Sequence, residues 1–314
     1  MLSFIARRAL QTIPVIFGVT LATFLLSQII PGDPTDILLG PGASEEARAQ
    51  LRQALGLDRS AAGQYLLYLQ NLVQGDFGQS LTFSKPVSEV LASRMMNTAL
   101  LAFAAIVLAS VLGVAAGTFA ALKPGSLRDR ALTVVVLFLN SMPSFWLGLL
   151  LILAFGLQLR LLPVSGMTSG DGGLVNLLAH MLLPTLTLAA WSLAAIARMT
   201  RSSLLDVIGS DYVRTARSRG IGEWRIVFFH ALPNAMPAVI TVIGMQMGFL
   251  LSGAVMTETV FSWPGIGLAM YQAISTRDIP LIQGGILLLA VAFVLINFTI
   301  DILYAYFNPK IKLA

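Results

Sequence analysis

No cysteine occurs in this 314-residue chain. Disulfides, thiol nucleophiles and cysteine metal sites are excluded, and the compartment cannot be read from redox usage. Charge is scarce as well. Only 11% of residues are Asp, Glu, Lys or Arg, less than half the ~25% of an ordinary soluble domain. There are two histidines, His180 and His230. The sequence holds no HExxH, no serine nucleophile elbow and no Walker A stretch, so the common routes to metal hydrolysis, acyl transfer and ATP binding are missing.

What is abundant is apolar. Hydrophobic residues make up 56% of the chain and the mean hydropathy is +0.81. The apolar residues come in long runs, which rules out a soluble enzyme, a disordered protein and a secreted disulfide scaffold. A helix needs about 20 apolar residues to cross ~30 Å of hydrocarbon. Six stretches qualify: Ala9–Ile30, Asn97–Leu122, Ala131–Leu159, Leu177–Thr200, Ala235–Glu258 and Leu281–Phe307. Pro143 within Asn140-Ser-Met-Pro-Ser144 predicts a kink or tilt in the third, and Pro184 a similar one in the fourth. The first run follows Arg7 and Arg8 as a signal peptide would. It is too long for an h-region and Ser27-Gln-Ile-Ile-Pro31 has no small-x-small site, so it reads as a retained anchor.

Charge sets the orientation. With the N-terminus inside, thirteen of the twenty basic residues fall in inside segments, and ten of the fifteen acids fall outside. That is the positive-inside pattern, with both termini cytoplasmic. The +5 net charge is therefore a statement about topology, not about nucleic acid. The expected class is an all-α integral membrane protein with six transmembrane helices. The chain divides into an N-terminal segment and first span (1–30), an extracytoplasmic loop region (31–96) and a five-helix core (97–314) with a cytoplasmic loop at 201–234.

The spans themselves offer little chemistry. His180 and His230 lie on opposite sides of the expected membrane and cannot share a metal; His180 reads as a structural, interfacial hydrogen-bonding residue. Asp301 is the one clear ionisable group inside a span, and a buried acid calls for a partner. Glu258, at the outer edge, is expected to be hydrated. Asn140, Ser141, Ser144, Gln246 and Ser252 are the polar positions where a path would be sought, and none is assigned to substrate. The first outside loop is far longer than a connection between two spans requires. It is expected to contact a soluble partner, with a purely bracing role as the alternative.

The inside loop carries the most information. It reads Asp211-Tyr-Val-Arg-Thr-Ala-Arg-Ser-Arg-Gly220-Ile-Gly-Glu-Trp-Arg-Ile-Val-Phe-Phe-His-Ala-Leu-Pro-Asn-Ala235. Two short helices fit, the first capped by Ser210 and ended by Gly220 in a left-handed conformation. Val213, Ala216 and Gly220 fall on one face of small residues suited to docking in a protein groove. Trp224, Val227, Phe228 and Ala231 recur at i, i+3, i+4 and i+7 as an apolar stripe. A merely solvated basic loop needs neither the stripe nor the break.

At this loop the chain resembles the permease subunits of ABC importers. Their cytoplasmic signature is E-A-A, three residues, Gly, nine residues, Ile-x-Leu-Pro. Here Arg214-Thr215-Ala216 is followed after three residues by Gly220 and after nine more by His230-Ala-Leu-Pro233. Arg214, Thr215 and His230 depart from Glu, Ala and Ile. In the peptide/nickel branch the form is Tyr-x-Arg-Thr-Ala-Arg-x-x-Gly, then His-x-Leu-x-Asn-Ala, and this chain matches it. Phe4 to Arg8, Ile30-Pro-Gly-Asp-Pro34, Leu55-Gly-Leu-Asp58, Gly75-Asp-Phe-Gly78 with Ser80, and Arg198-Met-Thr-Arg-Ser-Ser203 extend the likeness. So do Thr257-Glu-Thr-Val-Phe-Ser-Trp-Pro-Gly-Ile-Gly267, Arg277-Asp278 and Asn308-Pro309.

The resemblance is to the first of two permeases of dipeptide/oligopeptide importers. It implies the ABC type I importer permease fold, a place in a bacterial or archaeal plasma membrane, and no enzymatic activity in this chain. The implied partners are a paralogous permease, two cytoplasmic ATPases that bind ATP and Mg, an extracytoplasmic binding protein and membrane lipid, with no nucleic acid. No cofactor is implied for the chain itself. The implied coupling residues are Tyr212, Arg214, Thr215, Ala216, Arg217, Gly220, His230, Leu232 and Pro233. The imported solute is expected to be a peptide, with nickel chelates, glutathione or another small solute as alternatives. An ion-coupled secondary transporter is the competing class; it would need a midplane acid or a repeat-related pair of broken helices.

Overall fold

The computed structural model describes residues 2–29, 35, 39–40, 42–54, 56–170 and 172–307, without the side chains of residues 2–9, 54, 252–253, 301 and 303–307. Ile30-Pro-Gly-Asp-Pro34, Leu55, Asn308-Pro309, Lys310 and Lys312 lie outside the described residues, as do the side chains of Phe4 to Arg8, Ser252 and Asp301.

The chain is helical nearly throughout. Helix α1 is Leu2–Ile29. Outside the membrane come α2 (Glu45–Ala54) and α3 (Ala61–Val73), the latter capped by the Ser60 hydroxyl accepting from the Gly63 N–H. Tyr65 and Tyr68 of α3 pack on Phe17 and Phe24 of α1. Their hydroxyls also reach Thr20 and Thr23 at 3.0 and 3.4 Å. A two-residue antiparallel ribbon, β1 (Gln79–Ser80) with β2 (Lys85–Pro86), leads into α4 (Val87–Leu122). At 36 residues, α4 is about 54 Å long and overshoots a ~30 Å hydrocarbon layer. It starts well before the apolar run because Val87, Val90 and Leu91 are buried against Ile266, Met270 and Leu281 on the outer side.

Helix α5 (Leu127–Ser141) and α6 (Ser144–Leu151) make up the third apolar run, and α6 runs on as a π-helical turn over Ile152–Gln158. Pro143 does more than kink this span: the two helices meet at 103°. Met142, ahead of the proline, is extended (φ −78°, ψ 131°), the conformation a following proline imposes. Helix α7 (Leu174–Ile208) behaves differently. It passes through Pro184 without interruption, and Pro184 is buried. Packing on both sides holds the helix across the hydrogen bond that the proline removes.

Two short cytoplasmic helices follow, α8 (Asp211–Ser218) and α9 (Glu223–Arg225), with a π-helical turn at Ile226–Ala231. The chain returns through α10 (Leu232–Gly253) and turns outside through α11 (Val255–Val260) and α12 (Ile266–Thr276). It finishes in α13 (Ile279–Phe307). The fifth apolar run is thus α10 plus a separate short helix. The core lies between α4, α7 and α10, where Leu101, Ala105, Ile196, Val239 and Trp263 are buried together.

At Gly113 and Gly117 the contact between α4 and α7 has no room for a side chain. A Cβ on Gly113 would lie 2.9 Å from Ile196, and one on Gly117 would lie 2.5 Å from the Ala197 carbonyl oxygen. Small residues let helices approach closely in a membrane, where water does not drive them together. Gly117→Val is expected to cost about 1–3 kcal/mol by forcing backbone apart, read as a lower Tm in detergent. Gly18→Ala, in α1 with nothing within 4 Å, is the control that should leave the Tm unchanged or raised.

Candidate functional site

The cytoplasmic loop is an ordered unit seated on the bundle. Gly220 has φ 78°, and its N–H donates to the Arg217 carbonyl while Ile221 N–H donates to that of Ala216. These two bonds close the end of α8 in the way a left-handed glycine after a helix does. At the other end Ser210 does not act as a side-chain cap. Its hydroxyl donates to the Val207 carbonyl, and the Ser210 carbonyl accepts from Val213 and Arg214 N–H instead.

The small-residue face points inward. Val213 is fully buried, Ala216 is half-buried and α8 rests on the 226–231 turn. This chain covers the Val213 end of that face, while Gly220 at its other end is exposed with nothing within 4 Å of where a Cβ would stand. The apolar stripe is also redistributed. Val227 and Ala231 pack on Ala121 of α4, Leu204 of α7 and Ala235 of α10. Ile226, outside the stripe, is buried, while Trp224 is 63% exposed. The cause is the π turn, whose i→i+5 bonding spreads more residues over each turn than an α-helix does. Trp224 stacks on Phe228 at 5.0 Å, and Phe229 stands 74% exposed beside them.

A polar clasp joins the two ends of the loop. The Asn234 amide donates to the His230 carbonyl at 2.6 Å and to the Tyr212 hydroxyl at 3.1 Å, and that hydroxyl donates to the same carbonyl at 3.3 Å. Arg217 donates through Nε and a terminal nitrogen to both oxygens of Glu223, at 2.6 and 3.2 Å. Those bonds raise the pKa of the Arg217 guanidinium and lower that of the Glu223 carboxyl. Being largely exposed, the pair stabilises by no more than about 1 kcal/mol. Arg214 is exposed and reaches Asp211 only at 3.5 Å. Thr215 donates to the Asp211 carbonyl. Leu232 packs beside the buried cluster and Pro233 sits exposed at the start of α10.

All nine residues singled out in the sequence therefore belong to one folded element. Asn234, Glu223 and Phe229 were not among them. Asn234 had a signal, since it lies one helical turn from His230; the exposure of Phe229 depends on the π turn and had none.

The outer side corrects another expectation. Glu258 is not hydrated but fully buried. It accepts from the Thr98 hydroxyl at 2.6 Å and the Leu268 N–H at 3.0 Å, at the N-terminus of α12. A carboxylate there meets free N–H groups and the positive end of the helix dipole. Asp278 is likewise buried. It accepts from Ser80 Oγ, Thr82 N–H and Leu281 N–H, tying the first outside loop to the start of α13. His180 is buried within α7, its Nδ1 2.8 Å from the Asn176 carbonyl. Asn140, Ser141 and Ser144 flank the Pro143 break, and Ser192 Oγ lies 3.5 Å from Gln246 Oε1.

Several apolar helices long enough to cross a membrane surround a folded cytoplasmic loop, the build of a multi-pass membrane protein. Residues 113–313 match the family described as binding-protein-dependent transport system inner membrane component, and residues 1–102 match its N-terminal region. The chain belongs to that family and is a multi-pass inner-membrane protein. It is 45% identical to the di/tripeptide transport system permease protein DppB of Pseudomonas aeruginosa, over 99% of both chains. It is 42% identical to the dipeptide transport system permease protein DppB of Escherichia coli, also over 99% of both. The glutathione transport system permease protein GsiC of Escherichia coli is 41% identical over 99% of both. Among solved structures, the inward-facing MetNI methionine ABC transporter aligns with a TM-score of 0.58 at 20% identity, covering 70% of this chain and 96% of that one. An amino acid ABC transporter aligns at 0.51 and 15%, covering 71% and 94%. The shared fold is that of ABC importer permeases.

Asn234→Ala removes the two amide bonds of the clasp and leaves the Tyr212 hydroxyl bond to the His230 carbonyl. The expected loss is about 0.5–1.5 kcal/mol of local stability, seen as faster amide exchange across residues 211–231 with the span amides unchanged.

Proposed function

We propose that this chain is one of two paralogous permeases of an ATP-driven importer that takes up di- and tripeptides delivered by an extracytoplasmic binding protein. The observation that carries this reading is full-length identity of 42–45% to permeases of di/tripeptide and dipeptide systems. The glutathione system permease at 41% supports a second reading, a modified tripeptide as cargo. Family membership displaces the ion-coupled alternative.

In this reading two cytoplasmic ATPases bind ATP and Mg, and this chain carries no cofactor. The docking face is the exposed side of the loop, with Tyr212, Arg214, Trp224 and Phe229, rather than the small-residue face. Exposed aromatics next to arginine are the side chains that dominate protein interfaces. The buried side, through Val227 and Ala231, is packed on α4 and α7. ATP-driven closure of the ATPases moves the loop, and the loop moves those spans between inward-open and outward-open states. The population shifts because ATP binds one state more tightly. The outer helices α2 and α3 face the binding protein, and lipid surrounds the spans. Nucleic acid has no part.

The test is recovery of the complex from native membranes in mild detergent, followed by proteoliposome uptake of a labelled dipeptide. A second permease, Walker-motif ATPases and ATP-dependent uptake are expected; recovery of the chain with no ATPase overturns the proposal. The double substitution Trp224→Glu, Phe229→Glu should lower ATPase recovery about tenfold or more, a hot-spot-sized loss, with normal insertion. Deleting residues 45–54 should reduce uptake while ATPase recovery stays normal.

A further inference from the structure

Helix α5 is held along a single stripe, in which Asp129 and Val136 are buried and Leu132, Leu139 and Asn140 are half-buried. Val136 packs on Ala194 and Ala197 of α7. Asp129 makes a two-point ion pair with Arg201 of α7, Nε to Oδ1 at 2.7 Å and a terminal nitrogen to Oδ2 at 2.8 Å. Its Oδ2 also accepts from the Gly125 N–H at 2.9 Å, so the same carboxylate pins the turn that leads into α5. The rest of the visible face is Leu127, Val134, Val135, Leu137 and Phe138, all exposed in this chain.

Both ends of α5 are abrupt changes of chain direction. Before it lies the short turn after α4, with Gly125 at φ 76°. After it lies the 103° break at Met142–Pro143. A helix between two such points, held along one stripe with an ion pair at its cytoplasmic end, has the build of a hinged strut. The Arg201 side chain is 35% exposed, so water reaches the pair from one side, and separating it does not leave a bare charge in hydrocarbon.

The other half of the pair is rigid. Arg201 lies on α7, an unbroken helix that ends at Ile208, three residues before α8. A Cβ on Gly117 of α4 would come 3.0 Å from the Arg201 backbone nitrogen. The loop itself is packed on the same two helices. Helices α4 and α7 and the cytoplasmic loop thus form one block, with Arg201 on its edge.

We propose, resting on the importer reading above, that Asp129 and Arg201 are positioning residues for transport. Their pair seats α5 against the α4–α7 block in one state of the cycle. It parts in another, so that α5 swings about its two ends and opens the cytoplasmic side. The movement of the loop is delivered to α5 through Arg201.

The absence of cysteine makes the test direct. Leu132 and Arg198 each lie three residues from a member of the pair, one turn further along the facing helices. Leu132→Cys, Arg198→Cys complexes are joined with a bis-maleimide whose bridge contains a reducible disulfide. Uptake is expected to fall at least about tenfold on cross-linking and to return on reduction, with ATPase association constant throughout. Unchanged uptake in the cross-linked complex overturns the proposal. Because the uncross-linked complex is assayed first for ATP-driven uptake, a failure of the importer reading registers there, and a failure of the hinge registers only on cross-linking. Asp129→Asn supplies the second measurement. Less solute moved per ATP hydrolysed is expected, with recovery in the swapped pair Asp129→Arg, Arg201→Asp. A parallel fall of uptake, hydrolysis and Tm would make the pair a brace and overturn the positioning role.

Discussion

The approach of α4 to α7 is the constraint from which the other contacts follow. With Gly117 against the Ala197 carbonyl, the two backbones are as near as helices can come. Side-chain packing spread over long helices would tolerate sliding; a backbone-to-backbone seam does not. Each functional end of the molecule is built on this seam. At its cytoplasmic end Ala121 and Leu204 receive Val227 and Ala231 of the loop. At its outer end Asn97 and Thr98 of α4 hold the turn before α12, through Trp263 Nε1–H donating to the Asn97 carbonyl and Ile266 N–H donating to Thr98 Oγ1. A helix long enough to overshoot the membrane is what lets one seam serve both sides.

Two buried carboxylates organise the outer surface by the same device. Glu258 of α11 reaches the start of α12 and Asp278 precedes α13, each accepting an N–H group that a helix leaves without a partner in its first turn. A fully buried acid with no hydrogen bonds would be costly. Here each also accepts a hydroxyl, from Thr98 or Ser80, so the charge is spread over several donors. The result is a short helix folded back at the membrane surface, fixed at both ends, with the first outside loop bound to it.

Much of this was legible beforehand because it depends on composition over long windows. The apolar runs located the crossings, and the uneven distribution of arginine set their direction. Gly220 was legible as a helix stop because few other residues accept its backbone conformation. What escaped depends on partners distant in sequence. Nothing around Glu258 announces that Thr98 lies beside it, so an acid at the end of an apolar run read as a hydrated one. Pro143 and Pro184 look alike in sequence, yet one ends a helix and the other does not, because only Pro184 is enclosed by neighbouring helices. The π turn at Ile226–Ala231 defeated a period of 3.6 locally, so Ile226 is buried although it lay outside the apolar stripe and Trp224 within the stripe stands exposed.

The clasp around Glu258 also constrains how this family can vary. A Cβ on Gly265 would lie within about 2.2 Å of Glu258 Oε1, and one on Gly267 would lie 2.6 Å from the Val255 backbone and 2.9 Å from Glu258 Oε2. The acid and the two glycines occupy one another's space, so substitutions at these positions cannot be independent. A lineage that lost the carboxylate would release both glycines and the Thr98 hydroxyl at once. In an alignment, positions 98, 258, 265 and 267 should therefore persist or change as a group, an inherited quartet written across two ends of the chain.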